Sequence, residues 1–481
     1  MTKQRALAPV VLGALAATGQ APWGLWPVTL VALAIWIARP ASCARAQAVS
    51  GWLFGAGYFG VSLHWIVWPF WVEPDVTGWM APFALIFMAA GAGLFWGGAL
   101  WGAFRLAPQN APVIAACLLA AEVARSYLLT GFPWALLGHI WIGTPIAQLA
   151  AFGGPHVLTG ITLALAVALA ALVRKRWWAV LVPVLAAGAW VVFTLPAAPV
   201  TDGPRVRLVQ PNAKQIEKWD PEHAQTFFDR MIDYTGQGER PDLIVWPETA
   251  ISYLLEYAGP ELDQAADAAR GAPVVLGINR RVGMRYYNAL LTVDQGGILS
   301  NVYDKAHIVP FGEFIPGGEI LRKIGIDGFA ASTGGAFTAG DGPQTIDIAG
   351  IGLARPLICY EGIFAEEIGT PLRPRLMILI TNDAWFGPSA GPLQHLAQAR
   401  LRAIEQGLPM VRVANTGVSA MIDAKGRITA QIGMNEAGYV DAALPLAAPA
   451  TIYSRHGDWP FLAAAFLTLL GYVALRRRNT N

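Results

Sequence analysis

The first 200 residues are built from long apolar runs separated by short gaps holding Gly, Pro or Arg. A helix needs about 20 mostly apolar residues to cross a bilayer. Runs near that length fall at 6–20, 22–38, 50–68, 79–102, 111–130, 157–173 and 177–196, and an eighth occurs at 459–475. Beyond residue 203 the pattern changes. The apolar runs shorten to strand length: VRLVQ (206–210), DLIVW (242–246), PVVLGI (273–278), YNALLTV (287–293), PLICY (356–360), LMILIT (376–381) and MVRVA (410–414). DLIVW and LMILIT are apolar without alternation, as in strands buried on both faces. Helical periodicity falls near 221–236, 260–270 and 392–407, and DQGG (294–297) and DAKG (423–426) signal hairpins. The pattern predicts a polytopic α-helical membrane domain with seven helices over 1–200, a layered α/β domain over 203–446, and an eighth transmembrane helix over 459–475.

Charge gives these segments a direction. With the N-terminus inside, one set of loops holds Lys3 and Arg5, Arg39 and Arg45, Arg105, Arg174 to Arg176, and Arg476 to Arg478. The opposite loops, 69–78 and 131–156, contain no Lys or Arg. Cytoplasmic loops are enriched in Lys and Arg, so the α/β domain is expected outside the cytoplasm. Of the 32 acidic residues only Glu73, Asp75 and Glu122 precede residue 200. Glu122 and Arg125 lie within one apolar run. A functional ion pair or a structural one would fit there, and the structural reading is favoured because nothing nearby suggests a proton path. The Trp-rich loop 131–156, broken by Gly and Pro, is expected at the outer membrane interface.

Composition narrows the chemistry. The chain is 55% hydrophobic and 14% charged, against about 25% charged in soluble domains. A net charge of +2 without a basic, aromatic-interleaved stripe argues against nucleic acid. The N-terminus resembles a signal peptide without a convincing cleavage site and is expected to remain as the first helix. Cys43, Cys117 and Cys359 are the three cysteines, so the α/β domain has no internal disulfide. No His, Cys or Asp cluster has metal spacing, and no G-x-G-x-x-G or P-loop occurs; neither a metal nor another cofactor is expected.

Three residues each close an extended apolar stretch: Glu248 after LIVWP, Lys305 after NVYD, and Cys359 in RPLICYE. A thiol is the strongest side-chain nucleophile near neutral pH but must lose its proton. A carboxylate leaving a buried strand is partly desolvated, which suits a general base. An ammonium group can hold the oxyanion formed when a carbonyl is attacked, and the Tyr360 amide is a natural second donor. Taken singly, a core cysteine, a solvated glutamate and a surface lysine are the commoner readings.

The surrounding segments change that balance. VQPNAKQIEKWD, IVWPETA, YDKAHIVPFGEFIP, ICYEGIF and TNDAWFGPSAGPLQHLAQARLRAIEQGLPMVRVANTG resemble the nitrilase superfamily, whose signature is Glu, Lys and Cys in that order, each at a strand end. Over essentially its whole length the chain more closely resembles the bacterial apolipoprotein N-acyltransferases, membrane enzymes with a nitrilase-like domain. The resemblance implies an α-β-β-α sandwich, with Glu248 as general base, Lys305 as transition-state stabiliser and Cys359 as nucleophile. Glu313 matches an additional active-site Glu, and Trp219, Tyr360 and Glu361 match positions tied to activity. Ala365 stands where the family often has Pro.

The implied reaction moves an acyl chain from a membrane phospholipid, with phosphatidylethanolamine the foremost candidate, through a Cys359 thioester. The acceptor is the N-terminal amine of a diacylglyceryl-cysteine on an apolipoprotein. The implied location is a bacterial inner membrane, with the catalytic domain in the periplasm. A membrane-anchored nitrilase-type amidase acting on small amides shares the same three residues, and a non-catalytic receptor or transporter is the remaining class. Segment 315–340 mixes glycines with Ile326, Phe329 and other apolar residues, which suits a lipid-facing lid or an ordinary packed loop. Trp385 and Phe386 fit a lipid-facing rim or the core. His395, Gln398 and Arg402 share one helix face, where packing is the commoner role.

Overall fold

The computed structural model describes residues 3–173, 203–316 and 336–480. The chain divides into two compact units. One comprises Met1–Ala198, Ser389–Glu405 and Ala450–Asn481, and the other Pro199–Pro388 and Gln406–Pro449.

The first unit contains the helices Lys3–Ala17, Trp26–Ile37, Ala44–Ser62, Ala81–Leu106, Ala111–Tyr127, Ala150–Val173 and Trp459–Thr480. By length and composition, Pro74–Leu106 and Pro145–Leu172 are apolar enough to cross a membrane, and three shorter apolar helices accompany them among the described residues. The expected run 177–196 lies outside the described residues. The helix over the run expected at 50–68 is shifted toward the N-terminus: it starts at Ala44, ends at Ser62 and passes into a 3₁₀ segment, His64–Trp71, containing Pro69. Ala44–Ser62 packs on Ala81–Leu106 through small residues. A Cβ added at Gly55 would stand 2.7 Å from the Gly93 Cα, so only glycine permits that approach.

The loop expected at the outer interface is largely buried within this unit. Trp134 and Trp141 are each 1% exposed. The Trp141 indole donates to Thr162 Oγ1 at 2.9 Å. Glu122 and Arg125 form a buried pair that holds this loop. Glu122 Oε2 accepts from the Leu137 amide at 3.0 Å, while Arg125 Nη1 donates to the Trp134 carbonyl at 2.7 Å. Irregular backbone is thus satisfied within protein, and the pair's contacts are those of a structural clamp.

The helix Ala390–Gln406 contributes Ser389–Glu405 to this same unit. Gln394 explains its seat. Its Oε1 accepts from the indoles of Trp65 at 3.1 Å and Trp134 at 2.7 Å, and its Nε2 donates to the carbonyls of Ala21 and Ser62. His395 stacks on Trp134, a packing role, and Arg402 pairs with Glu405 at 2.7 Å.

The second unit holds twelve strands among the described residues, in two six-stranded sheets. The first has the order β12-β1-β2-β3-β4-β5: β1 (Arg205–Gln210), β2 (Leu243–Val245), β3 (Val274–Val282), β4 (Arg285–Val293), β5 (Leu299–Asp304) and β12 (Gly438–Ala443). The second has the order β11-β10-β9-β8-β7-β6: β6 (Ile346–Ile348), β7 (Gly352–Ile358), β8 (Leu376–Thr381), β9 (Met410–Ala414), β10 (Ser419–Ile422) and β11 (Ile428–Ile432). β7, β8 and β9 run parallel, as do β1, β2 and β3, while the remaining ladders are antiparallel. All seven expected strands form, and both expected hairpins join antiparallel neighbours. Leu208, Val245 and Leu290 of the first sheet meet Ile358, Ile378, Ile380 and Val413 of the second in the inter-sheet core. The helices Pro221–Gly236 and Gly259–Ala268 cover the other face of the first sheet through Phe228, Met231, Leu262 and Ala265.

Candidate active site

Strand ends bring the three predicted residues together. Glu248 lies three residues beyond β2, Lys305 directly follows β5, and Cys359 directly follows β7. β4 fixes the lysine's backbone, since the Lys305 amide donates to the Asn288 carbonyl at 2.8 Å. Gly277 on β3 makes room for Glu248: a Cβ there would lie 2.6 Å from the Glu248 Cα. Cys359 has φ +47°, a left-handed conformation that ordinary residues avoid. It opens a tight 3₁₀ turn, Cys359–Ile363, that takes the chain sharply off the strand.

All three side chains are buried. Lys305 Nζ donates to Glu313 Oε1 at 2.9 Å and lies 3.8 Å from Glu248 Oε1. Asn288 Nδ2 bridges the same carboxylates, at 2.7 Å from Glu248 and 3.3 Å from Glu313. The other Glu248 oxygen accepts from the Asn382 amide at 2.7 Å. Burial works against the Lys305 charge, yet Glu313, Glu248 and Cys359 around it outweigh that and hold its pKa above the usual lysine value. Burial pushes the Cys359 thiol up, Glu248 adds to the rise, and Lys305 opposes it. The resting sulfur is therefore a thiol, and a base must take its proton before it can attack a carbonyl.

Glu361 binds the nucleophile turn to the lysine strand. Its Oε1 accepts from the Tyr303 hydroxyl at 2.6 Å and the Ala306 amide at 2.7 Å, and its Oε2 from the Ile358 amide at 2.7 Å. Tyr360 is buried with its ring edge-on to His307 and Phe364. Glu313 is anchored on its far side by the Val309 amide at 2.7 Å. Trp219 is 48% exposed and carries the Lys218 ammonium over its ring. Lys218 itself is buried, donates to the Glu248 carbonyl at 3.2 Å, and has its pKa lowered by burial to about 8 against the pull of Glu248. Trp385 is half-buried, and its neighbour Phe386 packs on the inter-sheet core. Ile326 and Phe329 lie outside the described residues, as does 317–335 as a whole.

The Carbon-nitrogen hydrolase family model matches residues 205–451, and the Apolipoprotein N-acyltransferase N-terminal domain matches 12–168. The apolipoprotein N-acyltransferase of Rhodopseudomonas palustris is 34% identical over 520 residues, covering 99% of this chain and 96% of its own. That of Bradyrhizobium diazoefficiens is 35% identical over 99% of this chain and 95% of its own. The chain belongs to the apolipoprotein N-acyltransferase family. This acyltransferase has the α/β fold of the carbon-nitrogen hydrolases in its second unit. It is also similar to a solved CN-hydrolase superfamily protein from Xanthomonas campestris, with 21% identity over 54% of this chain and 96% of that one, and a TM-score of 0.38.

The acyltransferase site also holds residues that sequence reasoning passed over. Asn288 and Asn382 each bond Glu248, and Gln215 and Asn415 hold the Asn382 side chain at 2.8 and 2.9 Å. Asn288 is a polar residue inside the apolar run YNALLTV, and that interruption was a usable signal. Among the described residues no group of three or more His, Cys, Asp or Glu could hold a metal ion.

Proposed function

We propose that this acyltransferase moves an acyl chain from a membrane phospholipid, phosphatidylethanolamine foremost, to the N-terminal amine of diacylglyceryl-cysteine on apolipoproteins. Glu248 takes the Cys359 proton, and the thiolate attacks the ester carbonyl. Lys305 and the Tyr360 amide hold the oxyanion, and preorganised donors of this kind give the largest single rate gain in acyl transfer. The lysophospholipid leaves with the proton from Glu248. The acceptor amine then attacks the thioester, gives up a proton to Glu248, and releases Cys359, which recovers its proton. A thioester is activated toward amines, and splitting the transfer lets two bulky lipids use one site in turn. The observation that carries this reading is the Cys359 sulfur, buried on a left-handed turn beside Lys305 and Glu248.

The first unit serves as a polytopic platform in a bacterial inner membrane, with the domain bearing Cys359 in the periplasm. The one-sided Lys and Arg loops and the apolar helices support this. Supplying the purified protein with a phospholipid carrying a tagged acyl chain, together with a diacylglyceryl-cysteine peptide, tests the reading. The tag should move to the peptide amine. Release of ammonia from small amides, without acylation of the peptide, would instead make the protein an amidase.

A further inference from the structure

Behind Cys359, the second sheet carries another buried polar set. Thr381 ends β8, Asp383 lies two residues on, and Arg412 is on the neighbouring β9. All three are fully buried. Thr381 Oγ1 donates to Asp383 Oδ1 at 2.8 Å, and Arg412 Nη2 donates to Asp383 Oδ2 at 2.6 Å. The parallel register of β7 and β8, which pairs Ile358 with Ile380, sets Thr381 beside Cys359, and the Thr381 hydroxyl favours the thiolate form of that sulfur. A hydroxyl has a single proton to give, so the Asp383 carboxylate and the sulfur compete for it.

We propose that Thr381 is a positioning residue for the nucleophile, its hydroxyl proton held by Asp383 while Cys359 is a thiol and turned to the sulfur once Glu248 has taken the thiol proton. This rests on Cys359 being the nucleophile. No bond to hydrogen breaks at Thr381: the thiol proton passes to Glu248, and Thr381 keeps its own and changes acceptor. Arg412 makes the change feasible, because it compensates the Asp383 charge and so weakens the carboxylate's hold on the hydroxyl.

The charged groups facing the sulfur show why such a donor is needed. Glu248, beyond β2, and Asp383, beyond β8, disfavour a thiolate, and Lys305, at the end of β5, favours it. Glu313 draws on the same ammonium at 2.9 Å. On the nucleophile's own turn, Glu361 is occupied by Tyr303, Ala306 and Ile358. Lys305 is therefore shared among several anions, and a second donor aimed at sulfur adds to it.

The test uses the full-length protein in detergent, with Thr381→Val, Thr381→Ser and Thr381→Ala. Iodoacetamide alkylation of Cys359 is followed by peptide mass across the alkaline range, and acylation of Cys359 by phospholipid is followed in a single turnover. Thr381→Val should move the alkylation inflection up by about one pH unit and slow acylation about ten-fold, the size of one hydrogen bond to a charged group. Thr381→Ser should match the wild type in both. If valine disturbs packing, Thr381→Ala carries the same expectation. An inflection that stays in place or moves down, or a serine variant as impaired as the valine one, would overturn the proposal. If wild-type Cys359 gains no acyl group, the functional reading fails, and the alkylation profiles still decide the role of Thr381.

Discussion

Lys305→Met keeps the side-chain length and removes the charge. The ammonium stands 2.9 Å from Glu313 and 3.8 Å from Glu248, with the lysine 1% exposed and the two carboxylates 14% and 7%. A pair of charges at 4 Å attracts by about 4 kcal/mol at an effective dielectric of 20. Burying the three charges cancels most of that gain. Removing the lysine alone is not symmetric with forming the cluster. It leaves two carboxylates on the same Asn288 amide with no cation between them, a loss of about 3–5 kcal/mol. In the wild type the Lys305 pKa is raised, so its contribution is complete below about pH 10.5 and is lost only as pH climbs further. The gap between the two proteins should therefore reach about 10 °C in unfolding midpoint near neutral pH and narrow above about pH 10.5. Thermal unfolding of both proteins in one detergent, in both pH ranges, measures it. A variant as stable as the wild type near neutral pH would refute the argument that Lys305 holds two buried carboxylates.

Other expectations follow from the same geometry. Glu248→Gln should block acylation of Cys359 near neutral pH but recover part of it in alkali, because the substitution also removes a negative charge beside the sulfur; Lys305→Met should lose about 10²–10³-fold with no such rescue. Rates at graded pH distinguish the two variants, and equal rescue would count against separate roles. The depressed Lys218 pKa means that at this residue the unfolded chain binds more protons between about pH 8 and 10.5, so Lys218 contributes a rise in stability with pH across that window, against the fall that the raised Cys359 thiol contributes. Lys218→Met should flatten that rise, as read by unfolding midpoints, and an unchanged slope would show that Lys218 is not the group responsible. For topology, a membrane-impermeant thiol reagent should reach Gln295→Cys from the periplasmic side of intact cells, and Gln109→Cys only after permeabilisation; the reverse pattern would invert the proposed orientation.

The parts legible in the sequence are those whose physics is local. β2 and β8 announce themselves as unbroken apolar runs and are buried at every position. Glu248, Lys305 and Cys359 stand out because each ends such a run. The strands passed over are mostly exposed or short: β5 is largely open, β12 is half-buried throughout, and β6 has three residues. Pairing with long-range neighbours makes them strands, as β12 does with β1. The loop around Trp134 was expected at a membrane interface because tryptophan favours such places. Its actual partner, Gln394, lies 260 residues away in the chain, beyond the reach of any local pattern. Thr381 and Asp383 read as ordinary polar positions at a strand end and Arg412 as a lone charge inside a strand, and only the parallel register of β7, β8 and β9 brings them behind the nucleophile.

The central claim is that acyl transfer passes through a thioester on Cys359. Intact protein incubated with a phospholipid of defined acyl chain, without acceptor, should gain the mass of one acyl group on the peptide containing Cys359. Hydroxylamine should remove it, as should adding a diacylglyceryl-cysteine peptide, which should appear acylated in equal amount. Cys359→Ala should remain folded, gain no acyl group and transfer none, while Cys43→Ala and Cys117→Ala behave as the wild type. Transfer to the peptide by Cys359→Ala, or a labile acyl group on a different residue, would contradict the account.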